Sequence, residues 1–308
     1  MSHPDLPARL SAPQLMSASL PVRETILDPI LTTKSLALLY GPRGIGKTFV
    51  ALGIAWAAAS GGSFLGWRAS QPRRVLYVDG EMAAVDMRQR LAALGPAPPL
   101  LDFMLADLQT GVPHDLATYD SQRRLMEAWG NPELVVLDNL SSLVGFQSGD
   151  PDAWSNLQRF LVLQRRRGRA ILLVHHANKK GAQRGTNRRE DVLDIVLSLR
   201  RPDDYVPREG ARLEIHFDKA RGLQGAAVDP IEARLETGGS TGGSIGDPAG
   251  GPSGARWTWQ PAQTGALRTL VALLKEGLNP NQAARALGIS KTKSYRLRQI
   301  AMERGLLN

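Results

Sequence analysis

A short stretch near the start of the chain has the spacing of a phosphate-binding loop. Gly41, Gly46, Lys47 and Thr48 fill the pattern G-x-x-x-x-G-K-[ST], between an apolar run typical of a strand and a run typical of a helix. Backbone N–H groups at a helix N-terminus favour phosphate, and glycine permits its close approach. A chance glycine-rich turn is the alternative, but the flanking elements argue against it. We therefore expect a nucleoside triphosphate to be bound by Gly41, Gly44, Ile45, Gly46, Lys47, Thr48 and Phe49.

Acidic and histidine side chains end three further apolar runs. Asp138 closes one of them and fits an acid that holds Mg²⁺ together with the Thr48 hydroxyl, the alternative being an aspartate that begins a loop. Glu81 follows another run and could orient or deprotonate the attacking water, with Asp79 as its competitor. His176 could contact the γ-phosphate, although His175 could do so instead, and the pair could also be merely packed.

Uniformly apolar runs alternate with helical segments along the first two thirds of the chain. This alternation predicts an α/β fold with a mostly parallel sheet covered on both faces. Ligands of such sheets bind outside the carboxyl ends of the strands, where the polar residues above stand. The expected strands are residues 36–40, 74–79, 100–105, 134–138, 170–174, 192–199 and 213–217.

Several of these segments together resemble the RecA/DnaB-like ATPases, and within them the RepA type of plasmid replicative helicase. The similarity runs from about Ile26 to Leu235. It implies a RecA-like core that hydrolyses ATP with Mg²⁺, using Lys47, Glu81, Asp138 and His176. The segments that carry the resemblance are residues 41–48, Glu81, residues 134–138, residues 174–179, residues 183–194 and residues 217–222.

The last of these segments looks like the family's Lys-x-Arg motif. The resemblance implies that Lys219 and Arg221 reach the γ-phosphate of a neighbouring subunit, where a cation stabilises the transferring phosphoryl group. A homo-oligomer is then expected, which is a hexameric ring in the family. A solvated basic turn is the alternative reading of the motif, and Arg200 and Arg212 are weaker candidates for the same role.

A second basic cluster follows the two histidines. In RecA-like rings the loops after these strands track the nucleic-acid backbone, and cations there would neutralise phosphates without reading sequence. The segment 141–154 would supply the other such loop, but its charged residues are acidic. We expect DNA contacts from Lys179, Lys180, Arg184, Arg188 and Arg189.

The C-terminal region contains a helical pattern with the form of a helix-turn-helix. A segment rich in glycine, serine and proline precedes it and is either a linker or the loop of a long hairpin. Three helices then follow, of which the third is basic and suited to phosphates and base edges. A protein-docking module is the alternative. The DNA-binding residues expected here are Lys291, Thr292, Lys293, Tyr295 and Arg296.

Composition agrees with these expectations. The 308 residues, of which 43% are hydrophobic, allow one large core and one small domain. We divide them into a flexible N-terminal arm (1–25), an ATPase core (26–236), a linker or hairpin loop (237–260) and a helix-turn-helix domain (261–308). The absence of cysteine excludes disulfides, and no segment has the pattern of a secretion signal or a membrane span, so we expect a cytoplasmic protein without a membrane partner.

The net charge of +9 favours a polyanionic partner, usually nucleic acid.

The phosphate loop, the resemblance, the C-terminal helices and the charge together allow three functions. The first is a DNA-dependent helicase or translocase that serves replication or maintenance of a mobile element. The second is a non-motor ATP switch, such as a helicase loader or a regulator bound to duplex DNA. The third, a transcription regulator with a vestigial nucleotide site, is disfavoured because every phosphate and metal position is filled.

Overall fold

The computed structural model describes residues 9–110, 115–145, 151–177, 191–202, 204–237, 255–262, 265–303 and 305–307. Its helices are α1 (Ala12–Ser17), α2 (Lys47–Ser60), α3 (Ala84–Ala92), α4 (Tyr119–Ala128), α5 (Leu140–Leu143), α6 (Pro151–Arg166), α7 (Gly265–Lys275), α8 (Pro280–Ala286) and α9 (Lys291–Glu303). Its strands are β1 (Thr25–Leu27), β2 (Leu31–Thr32), β3 (Leu36–Gly41), β4 (Ser63–Phe64), β5 (Trp67–Arg68), β6 (Val75–Asp79), β7 (Leu101–Leu105), β8 (Leu134–Asp138), β9 (Ala170–His176), β10 (Ile195–Arg200), β11 (Arg212–Ala220), β12 (Ile231–Thr237) and β13 (Ala255–Pro261).

One sheet organises the described part of the chain. Nine strands lie in it in the order β13-β12-β11-β10-β3-β9-β8-β6-β7. The strands from β10 to β7 run parallel, whereas β11, β12 and β13 are added antiparallel at one edge. The prediction of an α/β fold with a mostly parallel sheet is confirmed. The phosphate-loop strand β3 is central, so its carboxyl end has neighbours on both sides.

Both faces of the sheet are buried. Successive side chains of each strand point to opposite faces, and the two sets belong to different apolar clusters. Leu39 belongs to a cluster in which α2 and the short strands β1, β2, β4 and β5 cover one face of the sheet. Its neighbour Leu38 belongs to a second cluster, with residues of α4, α5 and α6 on the other face. The continuous apolar runs seen in the sequence follow from this double burial.

Helix α2 is buried on nearly all sides, which fixes the position of its first turn. The sheet covers one side, and the pair of short strands β4 and β5 covers another. At Gly53 a Cβ atom would lie 2.2 Å from the Phe64 ring, so the helix and this cover are in direct contact. The phosphate loop therefore rests on a helix whose movement is restricted by packing.

The antiparallel edge is longer than the sequence indicated. Strands β12 and β13 pair from Ile231 opposite Pro261 to Thr237 opposite Ala255, which is the pairing expected of the hairpin alternative. The segment between them, residues 238–254, lies outside the described residues. Trp257 of β13 packs edge-on against Phe64, with ring centroids 5.7 Å apart. β13 thus contributes to the same core as α2.

Three helices, α7 to α9, pack against one another at the C-terminal end. Asn279 caps α8, and the buried Ser294 of α9 donates a hydrogen bond to the carbonyl of Pro280 at 2.7 Å. Arg268 of α7 binds Asp204 at 2.7 Å and Glu232 at 2.8 Å, so charged contacts join these helices to the sheet. The domain boundaries proposed from the sequence stay a prediction.

Two features of the described chain complete the fold. The N-terminal arm contains the short helix α1, which has no buried residue and was not anticipated. The segment 141–154, expected to be a loop, is partly helical, since α5 ends at Leu143 and α6 begins at Pro151, while residues 146–150 lie outside the description. Among the described helices, none has the length and apolar composition that crossing a bilayer would require.

Candidate functional site

The loop between β3 and α2 has the backbone that a phosphate cradle needs. Gly44 and Gly46 adopt φ values of 72° and 113°, in the left-handed region that favours glycine. At Gly41 a Cβ atom would lie 2.9 Å from the carbonyl oxygen of Leu199, so a larger residue there would displace the backbone of β10. Helix α2 begins directly after Gly46, so its unpaired N–H groups face the loop. These residues fit a bound phosphate chain.

Lys47 is buried, with 6% of its surface exposed. Its ammonium group donates hydrogen bonds to the carbonyls of Gly41 at 3.0 Å and Pro42 at 2.8 Å. Burial lowers the pKa of Lys47 to about 8, although nearby Asp138 and Glu81 favour the charged form. The cation is therefore held by the loop itself, at the place where the β- and γ-phosphates are expected.

Asp138 and Thr48 lie together at the carboxyl ends of β8 and β3. Asp138 is 4% exposed and accepts a hydrogen bond from the Tyr77 hydroxyl at 2.7 Å, and the Thr48 hydroxyl lies near its carboxylate. Burial raises the pKa of Asp138, and the neighbouring hydroxyls of Tyr77 and Thr48 oppose that shift. A carboxylate and a hydroxyl of this kind fit Mg²⁺, which takes few protein ligands and completes its shell with water and phosphate oxygens. No group of three or more His, Asp or Glu side chains that could hold a metal occurs in the described residues.

Glu81 and Asp79 have different environments, although they are two residues apart. Asp79 is buried and accepts hydrogen bonds from the backbone N–H groups of Glu81 at 3.0 Å and Met82 at 2.6 Å. Burial raises the pKa of Asp79 to about 6. The side chain of Glu81 is 67% exposed and accepts a hydrogen bond from the Asn139 amide. Asp79 thus stabilises the turn that follows β6, and Glu81 extends from that turn with its side chain exposed.

The two histidines at the end of β9 are also distinguished. His176 lies opposite Gly41 in the register of β3 and β9, and its Nε2 is 3.9 Å from a carboxylate oxygen of Glu81. Burial lowers the pKa of His176. His175 is buried in the adjacent position and does not line the cavity that His176 lines. Of the two histidines His176 is the one that lines the cavity, and its contact with the γ-phosphate stays a prediction.

These side chains surround one cavity of about 440 Å³ at the carboxyl edge of the sheet. That volume lies in the usual range for small-molecule sites. The residues predicted from the sequence that line it are Gly44, Gly46, Lys47, Thr48, Phe49, Glu81, Asp138 and His176. Their assignment to catalytic and binding roles stays a prediction.

Three polar lining residues were not anticipated from the sequence. Asn139 holds the Glu81 carboxylate with its amide nitrogen, while its Oδ1 accepts from the backbone N–H of Ser141 at 2.9 Å. Arg90 of α3 covers the Phe49 ring at 4.5 Å, and Asp86 stands on the same helix. The available signal for Asn139 was its position between the strand-ending Asp138 and a helix, because asparagine is a preferred N-cap.

Lys219 and Arg221 lie away from this cavity. Ala220 stands opposite Ile195, which stands opposite Ala37, four residues before Gly41 in β3. At about 3.3 Å per residue, roughly 13 Å of strand separates the paired residues Ala220, Ile195 and Ala37 from the start of the phosphate loop at Gly41. Arg221 is 58% exposed and lies 3.6 Å from Asp194. The weaker candidate Arg212 is occupied within its own subunit by Asp204, Glu209 and Glu232.

The residues predicted to bind DNA fall into two groups. Lys179, Lys180, Arg184, Arg188 and Arg189 lie outside the described residues. On α9 the predicted residues are all exposed, and these are Lys291, Thr292, Lys293, Tyr295 and Arg296.

Comparison with known proteins identifies a family. The AAA_25 family model, described as an AAA domain, matches residues 4–182. No curated protein matches the chain significantly. Among solved structures, a KaiC-like protein from Pyrococcus horikoshii OT3 is 18% identical, with 71% of this chain and 96% of that chain covered and a TM-score of 0.49. The flagellar accessory protein FlaH from Methanocaldococcus jannaschii is 14% identical, with 66% and 86% covered and a TM-score of 0.47.

Proposed function

Because this chain belongs to the AAA_25 family of AAA domains and carries a complete phosphate loop, we propose that it is an oligomeric, Mg²⁺-dependent ATPase that acts on DNA in the cytoplasm. The action that we propose is that of a RepA-type helicase or translocase, in the replication or maintenance of a mobile element. One observation carries the proposal. Lys47, Thr48, Glu81, Asp138 and His176 come from four different strand ends and line the same cavity.

Each side chain has a defined role in the attack of water on the γ-phosphate. Lys47 neutralises charge on the β- and γ-phosphates. Thr48 and Asp138 would hold Mg²⁺, which supplies further positive charge to the phosphate oxygens. Glu81, kept in place by Asn139, orients the water and accepts its proton. His176 donates a hydrogen bond towards the γ-phosphate and stands beside Glu81.

An oligomer is proposed because Lys219 and Arg221, the cations predicted to act on the γ-phosphate, lie towards the amino ends of the parallel strands, whereas the cavity lies at their carboxyl ends. Arg221 follows a residue whose position in the sheet lies about 13 Å of strand before the phosphate loop of its own chain, so a role at the γ-phosphate requires a second copy of the chain. In a head-to-tail arrangement each copy presents its carboxyl edge to the next copy's amino edge, so that Lys219 and Arg221 complete the neighbouring site. A closed ring, hexameric by analogy, is one such arrangement.

The DNA partner is supported by charge and exposure. The chain carries a net charge of +9, and the exposed face of α9 presents Lys291, Lys293 and Arg296 to solvent. Cations on the second helix of a helix-turn-helix contact phosphates and base edges. DNA bound there would add to contacts made by the basic residues between 179 and 189.

A second candidate is the non-motor switch, and one observation favours it. Arg268 joins α7 to Asp204 and Glu232 on the ATPase core, so the three C-terminal helices are held against it. A domain that reads a duplex site in a fixed position suits a loader or a regulator better than it suits a motor that moves along a strand. Unwinding activity distinguishes the two candidates.

The test measures the rate of ATP hydrolysis with single-stranded DNA, with duplex DNA and without DNA. Light scattering in the presence of a non-hydrolysable ATP analogue gives the mass of the particle in parallel. We expect a multimer whose hydrolysis is stimulated by DNA and abolished by Lys47→Ala. Stimulation by single strands together with unwinding supports the helicase, whereas duplex binding with slow hydrolysis and no unwinding supports the switch. A monomer that hydrolyses ATP at full rate regardless of DNA would refute the proposal.

A further inference from the structure

The connection between β10 and β11, which spans residues 201–211 with residue 203 outside the description, lies against the phosphate loop. A Cβ atom at Gly46 would lie 3.3 Å from a methyl group of Leu213, at the start of β11. The guanidinium of Arg201 donates a hydrogen bond to the carbonyl oxygen of Gly44 at 3.2 Å. The phosphate loop is therefore contacted by Arg201 of this connection and by Leu213 of β11, and we call the connection the β10–β11 hairpin.

Arg201 is itself held on several sides. Its Nη1 donates to the carbonyls of Arg212 at 2.6 Å and Gly210 at 3.2 Å. Its guanidinium carbon lies 3.9 Å from the centre of the Tyr205 ring, in a cation–π contact. A guanidinium has donors in a fixed planar fork, so contacts on one edge determine where the other edge points. The donor that meets Gly44 is thus set in place before any ligand arrives.

The hydrogen bond to Gly44 has a consequence on the other side of the same peptide. In a planar trans peptide the C=O and the following N–H point in opposite directions. With the Gly44 carbonyl directed to Arg201, the N–H of Ile45 is directed away from Arg201. A charged donor on the carbonyl oxygen also polarises the peptide and strengthens that N–H as a donor.

We propose that Arg201 is a positioning residue of the nucleotide site, which orients the Gly44–Ile45 peptide so that the Ile45 N–H binds a phosphate oxygen. Backbone N–H groups of a phosphate loop bind the α- and β-phosphates. The ligand concerned is therefore the diphosphate portion that ADP and ATP share. This inference rests on nucleotide binding at the phosphate loop, as put forward under Proposed function.

The test compares nucleotide affinity in the full-length chain and its variants. Arg201→Met removes the donors and keeps an apolar stem of similar length. We expect its affinity for ADP and for a non-hydrolysable ATP analogue to fall by a similar factor, about tenfold, the worth of one charge-assisted hydrogen bond. The matched control is Arg208→Met, an exposed arginine on the same hairpin, which should bind both nucleotides as the wild type does.

Kinetics separate positioning from a simple loss of folded protein. Arg201→Met should raise the KM for ATP and leave kcat largely intact, because Lys47, Glu81 and Asp138 stand on other elements. A lower kcat with unchanged KM would indicate a smaller folded fraction and would overturn the inference, as would an unchanged affinity. If the wild type and Lys47→Ala differ in affinity while Arg201→Met matches the wild type, only this inference fails. If the wild type binds neither nucleotide, the proposed function fails as well.

Discussion

The buried hydrogen bond between Tyr77 and Asp138 gives a prediction about pH. Tyr77 is fully buried, and its hydroxyl lies 2.7 Å from the Asp138 carboxylate that would bind Mg²⁺. Burial raises the pKa of Asp138, and this hydrogen bond acts against the shift because it stabilises the ionised form. In Tyr77→Phe the ring is kept and the donor is lost. The pKa of Asp138 should then rise further.

The magnitude follows from the type of bond. A hydrogen bond to a charged group contributes about 1.5–3 kcal/mol, and one pKa unit corresponds to about 1.4 kcal/mol. The protonated acid still accepts part of that bond, so a rise of about one unit is expected. The acid needs to be ionised to hold Mg²⁺. The acid limb of the profile of kcat/KM against pH should therefore move to higher pH by about one unit in Tyr77→Phe.

The assay is ATP hydrolysis at saturating Mg²⁺ across the acid range, with Tyr119→Phe as the control. Tyr119 is 74% exposed, so the loss of its hydroxyl should leave the profile in place. A profile in which Tyr77→Phe lowers the rate equally at every pH would show that the hydroxyl does not control ionisation of Asp138. The assignment of Asp138 to the metal would then lose this support.

Three further predictions concern catalysis, subunit contacts and packing. Glu81→Gln should bind ATP normally in an equilibrium binding assay and hydrolyse it about 10²–10⁴ times more slowly, and unchanged turnover would move the base elsewhere. Arg221→Ala and Glu81→Gln should each be inactive alone, yet a mixture of the two variants should regain activity in the hydrolysis assay. In an equal mixture up to about a quarter of the sites should be active, because these sites combine the intact Glu81 of one copy with the intact Arg221 of the next. No recovery of activity would argue against a site shared between copies. Gly53→Ala should lower the free energy of unfolding in urea by about 1–3 kcal/mol, since the new methyl group meets the Phe64 ring, and adding Phe64→Leu should restore part of it; a stabilised variant would mean that the ring moves aside without cost.

Much of the site could be predicted because its signals are local in the chain. The phosphate loop is one uninterrupted stretch, and Asp138 ends an apolar strand, so spacing alone locates both. The convergence of Glu81 and His176 followed from a general rule, that parallel strands collect polar residues at their carboxyl ends. The parallel sheet itself followed from continuous apolar runs.

The remaining contacts could not be predicted, since they join residues far apart in sequence through side-chain geometry. Asn139 meets Glu81 from 58 positions away, and Arg201 meets Gly44 from 157 positions away. Neither residue belongs to a motif. The extra edge strand β13 had only the alternation around Trp257 as a signal, and its partner lies beyond a long segment rich in glycine.

The β10–β11 hairpin touches two separate parts of the molecule. Arg201 meets the phosphate loop from it, while Asp204, three positions later, binds Arg268 of α7. A single protease cut in this hairpin would consequently have two effects at once. Through the role proposed for Arg201 it would weaken nucleotide binding, and it would disturb the contact of Asp204 with Arg268 while the contact of Arg268 with Glu232 on β12 remained.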